Sequence, residues 1–420
     1  MTETPALDAR FAAAMGQLLG PDFPAEIGLA VSGGGDSMAM LALAHNWTRA
    51  WGVGLRVVTV DHGLRPEAAD EARLVAEECR QLGWQHDILR WDGWDGQGNL
   101  QDAARRARLG LIDQWRGRMR DVLFAHTADD QAETLLMRLR RGSGVDGLSA
   151  MAPARQGGGM RILRPLLQER RETLRFHLRV LRVPFAEDPS NEDQRFERVR
   201  MRRLLTELEA EGLSPEGLNA TAARMARARQ ALRARAADVA DRIGAETWGQ
   251  VTLDRDGFAA VERETQMRLL AGALQYVAGA GYRPRAEALE ALLDGCLGGK
   301  GGTLGGAAVR VEDDTLRILR EAAALEGVTA EVGDGSLWDG RWHLEGAGLE
   351  GLTVRMLGPR GWAQITDKPA GGPRFHDALA LPAIFDKERL VACAALNHGP
   401  AHACRLEGPT RDLPAFLLSH

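Results

Sequence analysis

Two stretches of this chain concentrate groups able to do chemistry. The first, Ser32-Gly33-Gly34-Gly35-Asp36-Ser37, follows directly on the apolar run Ile27–Val31. Three glycines at a strand-to-helix junction permit positive φ and let backbone N–H groups turn inward. With the dipole of the following helix, those donors make a nest for phosphate. Ser32 and Ser37 add hydroxyls. Asp36 is the odd member, since a carboxylate repels phosphate unless a cation intervenes. It points either to Mg²⁺ bridging or to orientation of the loop by hydrogen bonds. The lysine of an ordinary P-loop is missing, and neither GxxxxGKS nor GxxxxGKT occurs anywhere, which argues against a Walker-type NTPase releasing ADP.

The second stretch is His126-Thr127-Ala128-Asp129-Asp130-Gln131-Ala132-Glu133, behind the apolar run Asp121–Ala125. Asp129 and Glu133 are four apart and share a helix face, with Asp130 expected about 100° away. Such a carboxylate pair can hold an amine or a metal, and can accept the proton of an attacking amine. Acids in a first helical turn also serve the helix dipole. His126, and His62 behind the run Leu55–Val60, are open to either a structural or a nucleotide-contacting role, and Asp61 is placed to orient its loop. A GxGxxG string, Gly142–Gly147, follows an arginine-rich helix rather than a strand, so it reads as a flexible loop and not a dinucleotide site.

The elements that position these groups come next. Runs at 27–31, 55–60, 86–91 and 121–125 read as strands, and helical patterns at 38–49, 67–82 and 101–115 separate them. That alternation predicts an α/β fold with a doubly wound parallel sheet, Rossmann-like in its layout. Three strand ends then deliver polar and acidic residues to the edge where such sheets bind ligands. A helical stripe covers 214–243, and a small α+β unit with helices at 257–277 and 286–297 covers 246–326. A mostly β unit covers 335–420, and 327–340 is a linker candidate. The domain reading is therefore 1–213 catalytic, 214–245 connecting helix, 246–326 and 335–420 binding units.

The 420 residues, 45% apolar and 26% charged, exceed one ordinary core. No apolar run is long enough for a membrane span. The N-terminus lacks a basic leader pattern, and the four cysteines, Cys79, Cys296, Cys393 and Cys404, form no CxxC pair; a cytoplasmic protein is expected. Net charge is −5, yet residues 138–203 hold 16 arginines and no lysine against 8 acids. That local excess reads either as a solvated helical face or as a phosphate-backbone footprint.

SGGGDS after the first strand resembles the SGGxDS motif of the PP-loop ATP pyrophosphatases. Together with "VDHGLR", "AHTADDQAETLLMRLRRGSGVDGLSAM", "RPLL" and "DPSN", it resembles more narrowly the tRNA(Ile)-lysidine synthetases, across residues 27–203. The resemblance implies ATP-dependent activation of C2 of the wobble cytidine C34 in a CAU-anticodon tRNA(Ile), displacement of AMP by free L-lysine, and Mg²⁺ accompanying ATP. It implies that Ser32, Gly33, Gly34, Gly35, Asp36, Ser37 and His62 hold nucleotide. Asp36 meets the metal or the reacting centre, and Asp129 and Glu133 serve the amine. Arg105 and Arg198 stabilise the α-phosphate. Arg108, Arg138, Arg140, Arg141, Asp188 and Asn191 contact the tRNA substrate. Gln101 and Leu109 depart from the family's acid and tyrosine, so only Arg105 and Arg108 carry over from that helix. Two rivals remain: a PP-loop tRNA thiolation enzyme, which would need cysteines near the site, and a non-catalytic ATP-gated RNA-binding module. Oligomeric state is left open, a homodimer included.

Overall fold

The computed structural model describes residues 6–63, 68–91, 93–94, 100–187, 197–407 and 412–419. They form two compact units, Met1–Arg229 and Gln230–His420.

The first unit is built on a six-stranded sheet. Its elements in chain order are α1 (Leu7–Leu19), β1 (Glu26–Ala30), α2 (Gly35–Trp51), β2 (Gly54–Asp61), α3 (Ala68–Leu82), β3 (Gln85–Arg90), α4 (Leu100–Trp115), β4 (Asp121–Phe124), α5 (Ala128–Arg140), α6 (Val145–Leu148), β5 (Ala154–Gly157), β6 (Met160–Leu163), α7 (Arg171–Leu181), α8 (Glu197–Ala210) and the start of the long α9 (Pro215–Ile243). Strand order is β3-β2-β1-β4-β6-β5. Every pairing is parallel except the β5–β6 hairpin at the edge.

Ile27 and Leu29 of β1 are fully buried beneath Met38, Leu41 and Leu43 of α2, Phe11 and Met15 of α1, and Leu174 and Leu178 of α7. The other face packs Ile112 of α4 on Val58, Val122, Phe124 and Ile162. Helices therefore cover both faces, as the short apolar strands require. Strand order reverses at β1, with β2 on one side and β4 on the other, so the loops after β1 and β4 open into one crevice. The hairpin β5–β6 has no clear signal in the sequence, because its strands are only four residues long and β5, Ala-Arg-Gln-Gly, is not apolar.

The second unit carries a five-stranded antiparallel sheet over residues 244–320, a four-stranded sheet over residues 330–392, and a pair joining Trp342–Glu345 to Ala403–Leu406. The expected helix 257–277 is two helices, Arg255–Ala259 and Arg263–Ala278. Gln266 Nε2 donates to the carbonyls of Phe258 and Ala259, at 3.0 and 3.2 Å, and so satisfies the end of the first. Residues 327–340 do not behave as a linker, since Val332 and Trp338 are buried in a core with Leu344 and Ile384. Among the described residues no helix is long and apolar enough to cross a membrane.

Candidate active site

The loop after β1 is shaped by its own polar groups. Gly33 has φ +86°, and a Cβ there would sit 3.1 Å from Glu71 Cβ, so any other residue would be strained at this position. Ser37 Oγ donates to Gly34 O at 2.9 Å and accepts the Ser32 amide at 3.1 Å. The Ala186 amide donates to Gly33 O at 2.9 Å, which fixes the loop from outside. Helix α2 begins at Gly35, so its free N–H groups and dipole face the same space. That space is a cleft of about 640 Å³ walled by Ser32, Asp36, His62, His126, Arg171 and Arg202, among others.

Asp36, in the first turn of α2, meets Arg171 of α7: Arg171 Nε donates to Asp36 Oδ2 at 2.9 Å. The same guanidinium lies 3.3 Å from Asp130 Oδ1 and 3.5 Å from Glu133 Oε1. Arg202 Nε, from α8, donates to Glu133 at 3.0 Å. Three carboxylates from two helices thus surround one guanidinium. Burial pushes Asp36 above the ordinary carboxylate range, with Arg171 opposing. Burial and the neighbouring Asp130 likewise raise Glu133, against Arg202 and Arg171. Asp130 goes the other way: burial works against its charge, but Arg171, the Thr127 amide, His126 and Arg198 hold it below the ordinary value. Asp36 Oδ1 and Glu133 Oε2 are buried and have no hydrogen-bond partner among the described residues.

The expected pairing of Asp129 with Glu133 in the cleft is corrected here. Asp129 Oδ2 accepts the backbone amide of Arg171 at 2.8 Å, and its Oδ1 lies 3.3 Å from Arg170 Nε. Asp130 is the α5 carboxylate that lines the cleft, while Glu133, three positions on and on the same helix face, is fully buried behind it against Arg171 and Arg202. Thr127 and Asp130 form a reciprocal capping box, which turns Asp130 inward. The T-x-x-D spacing is a signal for this. Arg171, Arg175 and Arg202 carry no comparable signal, being three of the 16 arginines in residues 138–203.

A second wall is cationic. His126 stacks on Phe124, and Arg108 sits 5.7 Å over the same ring. Burial pushes Arg108 down to about 10, with Arg105 and Arg198 adding to it, and burial holds His126 well below its ordinary value. Arg198 lines the cleft, 3.9 Å from Asp130. Arg105 is exposed on α4 and is not part of the cleft wall. His62 is in the wall, edge-on to Trp91, and Asp61 accepts the Gly63 amide at 2.9 Å, so it does orient that turn.

The string Gly142–Gly147 is not a free loop. Arg138 Nη1 donates to Gly147 O at 2.7 Å and Ala150 O at 2.9 Å, and Gln131 exchanges two bonds with Met151. Arg138 is therefore occupied holding this turn rather than presented to solvent phosphates. Arg140 and Arg141 are exposed and share a single carboxylate, Glu197, at 2.5 and 2.7 Å. Asp188 and Asn191 lie outside the described residues.

The parallel sheet with a phosphate nest at its switch point, lacking a P-loop lysine, defines a PP-loop ATP-binding protein; the PP-loop domain family matches residues 7–209. The chain is 42% identical to a tRNA(Ile)-lysidine synthase of Ruegeria pomeroyi over 94% of its length and 95% of that protein's. It is also 42% identical to a Bradyrhizobium tRNA(Ile)-lysidine synthase, over 69% of this chain and 88% of that one. A solved U34-tRNA thiolase from Methanococcus maripaludis covers 52% of this chain and 78% of its own at 15% identity, with a TM-score of 0.45. The chain belongs to the tRNA(Ile)-lysidine synthase family.

Proposed function

We propose that the first unit uses ATP to join L-lysine to C2 of the wobble cytidine of a CAU-anticodon tRNA(Ile), giving lysidine, AMP and pyrophosphate. The observation that carries this reading is the meeting of Asp36, from the phosphate loop, with Asp130 and Glu133 around Arg171. A nucleotide in the loop and an amine at the carboxylates would lie on either side of one short space.

In the first step the cytidine O2 attacks the α-phosphorus and pyrophosphate leaves. The N–H groups of residues 33–37 and the α2 dipole receive the phosphate charge, and among the cleft cations we assign Arg198 and Arg108 to the α-phosphate. In the second step the ε-amine of lysine attacks C2, and AMP departs with the former O2. The amine must lose a proton, and Glu133 suits that task because its Oε2 is unpartnered and its affinity for a proton is raised by burial.

Mg²⁺ fits as a companion of the nucleotide rather than as a caged ion. Among the described residues no cluster of three His, Cys, Asp or Glu groups could hold a metal, while Asp36 offers one unpartnered oxygen at the loop. One carboxylate plus substrate phosphates is the usual Mg²⁺ arrangement. Bound there, the ion would neutralise phosphate charge.

For the tRNA, exposed Arg140 and Arg141 are the surface cations we assign to backbone phosphates, with further contacts assigned to the second unit. Thiolation is disfavoured, because among the described residues no cysteine lines the cleft. The test is incubation with ATP, L-lysine and tRNA. Stoichiometric AMP and pyrophosphate, dependent on both lysine and tRNA, are expected; ADP and inorganic phosphate would overturn the reading.

A further inference from the structure

Arg171 occupies the place an incoming amine has to reach. Its head group contacts Asp36 at 2.9 Å and Asp130 at 3.3 Å, the two carboxylates of this group in the cleft wall, and Glu133, buried behind them, at 3.5 Å. Its backbone is held separately, by Asp129 at 2.8 Å. The head can therefore swing about a fixed Cα while α7 stays in place. An alkylammonium entering the site ahead of nucleotide would have to displace a forked, half-buried guanidinium whose three anionic neighbours hold it firmly protonated.

Nucleotide phosphates change that balance. They would arrive on the loop that carries Asp36, within reach of the Arg171 head. Phosphate accepts the guanidinium fork bidentately and brings more charge than one carboxylate. Arg175, one turn further along α7, lines the same cleft, and its buried Nε has no partner among the described residues. The helix face that turns toward the loop is thus already cationic. Arg202 remains on Glu133 at 3.0 Å when Arg171 leaves, so the carboxylates are not stripped of every counter-charge.

We propose that Arg171 is a positioning residue that fills the amine position until nucleotide phosphate draws its guanidinium off Asp130 and Glu133, so that ATP binds before L-lysine. This rests on the lysine-joining function proposed above. No bond is made or broken by Arg171; it acts through the carboxylates it covers and uncovers.

The experiment measures L-lysine binding calorimetrically, with and without a non-hydrolysable ATP analogue. In the unmodified protein the analogue tightens lysine binding about tenfold or more, within the usual range of site-to-site coupling. In Arg171→Gln lysine binds without the analogue, and the ratio falls to about 2 or less. Removing one partner from a buried ionic cluster can unfold a protein, so Arg171→Lys is the second variant. It keeps the charge but lacks the fork, and the ratio falls at least about threefold from that of the unmodified protein. A general structural defect would weaken both ligands without touching the ratio. An unmodified ratio in both variants, or a ratio near one in the unmodified protein, would overturn the inference. Lysine incorporation into tRNA, assayed alongside, separates the two claims. If the unmodified protein incorporates lysine while the variants keep its ratio, only the role of Arg171 is removed; absent incorporation by the unmodified protein removes the function as well.

Discussion

Asp129 and Asp130, adjacent on α5, grip the same arginine from two directions. Asp129 accepts the Arg171 backbone amide at 2.8 Å, and Asp130 faces its guanidinium at 3.3 Å. One carboxylate places the start of α7; the other forms part of the cleft. Their substitutions are expected to separate. Asp129→Asn lowers thermal stability and leaves turnover within roughly tenfold. Asp130→Asn lowers turnover by about 10²–10³-fold, the usual cost of one preorganised charged group. Steady-state kinetics beside thermal unfolding checks this; equal kinetic losses would contradict the division.

Asp36→Asn and Glu133→Gln are each expected to lower turnover by ~10²–10³-fold. The amides keep the shape of the side chain, and Glu133→Gln can still accept from Arg202, so both variants fold. Near-normal rates in either one would remove that residue from the chemistry. The defects should differ in kind: Asp36→Asn impairs nucleotide handling, whereas Glu133→Gln retains ATP affinity.

Replacing Gly33 by alanine places a Cβ at φ +86° and 3.1 Å from Glu71 Cβ. Strain of this kind costs roughly 1–3 kcal/mol. ATP affinity should fall at least about tenfold, while tRNA binding measured without nucleotide stays unchanged. A variant with normal ATP affinity would show that the loop does not need its left-handed turn.

The pair Arg140 and Arg141 shares one carboxylate, so it carries one surplus positive charge at an exposed site. Replacing both with glutamine should weaken tRNA binding and flatten its dependence on salt, by ~0.7–0.9 log units of slope for each phosphate that is no longer neutralised. ATP affinity should hold. An unchanged slope would make this pair a solvated helix end and shift tRNA binding to the second unit.

Trp115 Nε1 donates to Asp87 at 2.8 Å and Arg56 lies over the same indole, tying the end of α4 to the sheet. The Trp115 bond, then Arg56 and Gln85, hold Asp87 below its ordinary pKa, against some burial. A depressed folded-state value contributes stability above the unfolded value, and that contribution is lost as pH falls through the folded one. Asp87→Asn should therefore unfold roughly 2–4 °C lower at neutral pH. The gap should close below about pH 4. A gap that persists in acid would mean the missing contribution is packing and not charge.

The fold was legible because its signals were local. The central strands β1, β2 and β4 are short apolar runs, and each gives way within two residues to Ser, Asp or His. The phosphate loop was legible for the same reason, as six consecutive residues. The ionic cluster was not. Asp36 and Arg171 stand 135 positions apart, and nothing in the "QERRE" surroundings of Arg171 marks it from its neighbours. The choice between Asp129 and Asp130 turned on which of them faces the cleft, and the Thr127 capping box decided it. Arg138 looked like its neighbours Arg140 and Arg141, yet its position facing the turn at 147–150 consumes its donors.

The cleft takes walls from both ends of its unit: Ser32 and Asp36 come from near the start, and Arg198 and Arg202 from α8. Domains tend to fold as they leave the ribosome, N-terminal parts first. For this protein the parallel sheet can be complete once β6 has emerged, but Glu133 has no Arg202 to meet until about forty residues later. A nascent chain at that stage would hold the phosphate loop, not yet fixed by Ala186, beside an acidic, half-built wall. Competence for chemistry therefore arrives late in synthesis, with α8, and a chain truncated before residue 197 would fold its sheet yet lack the Arg198 and Arg202 wall of the cleft.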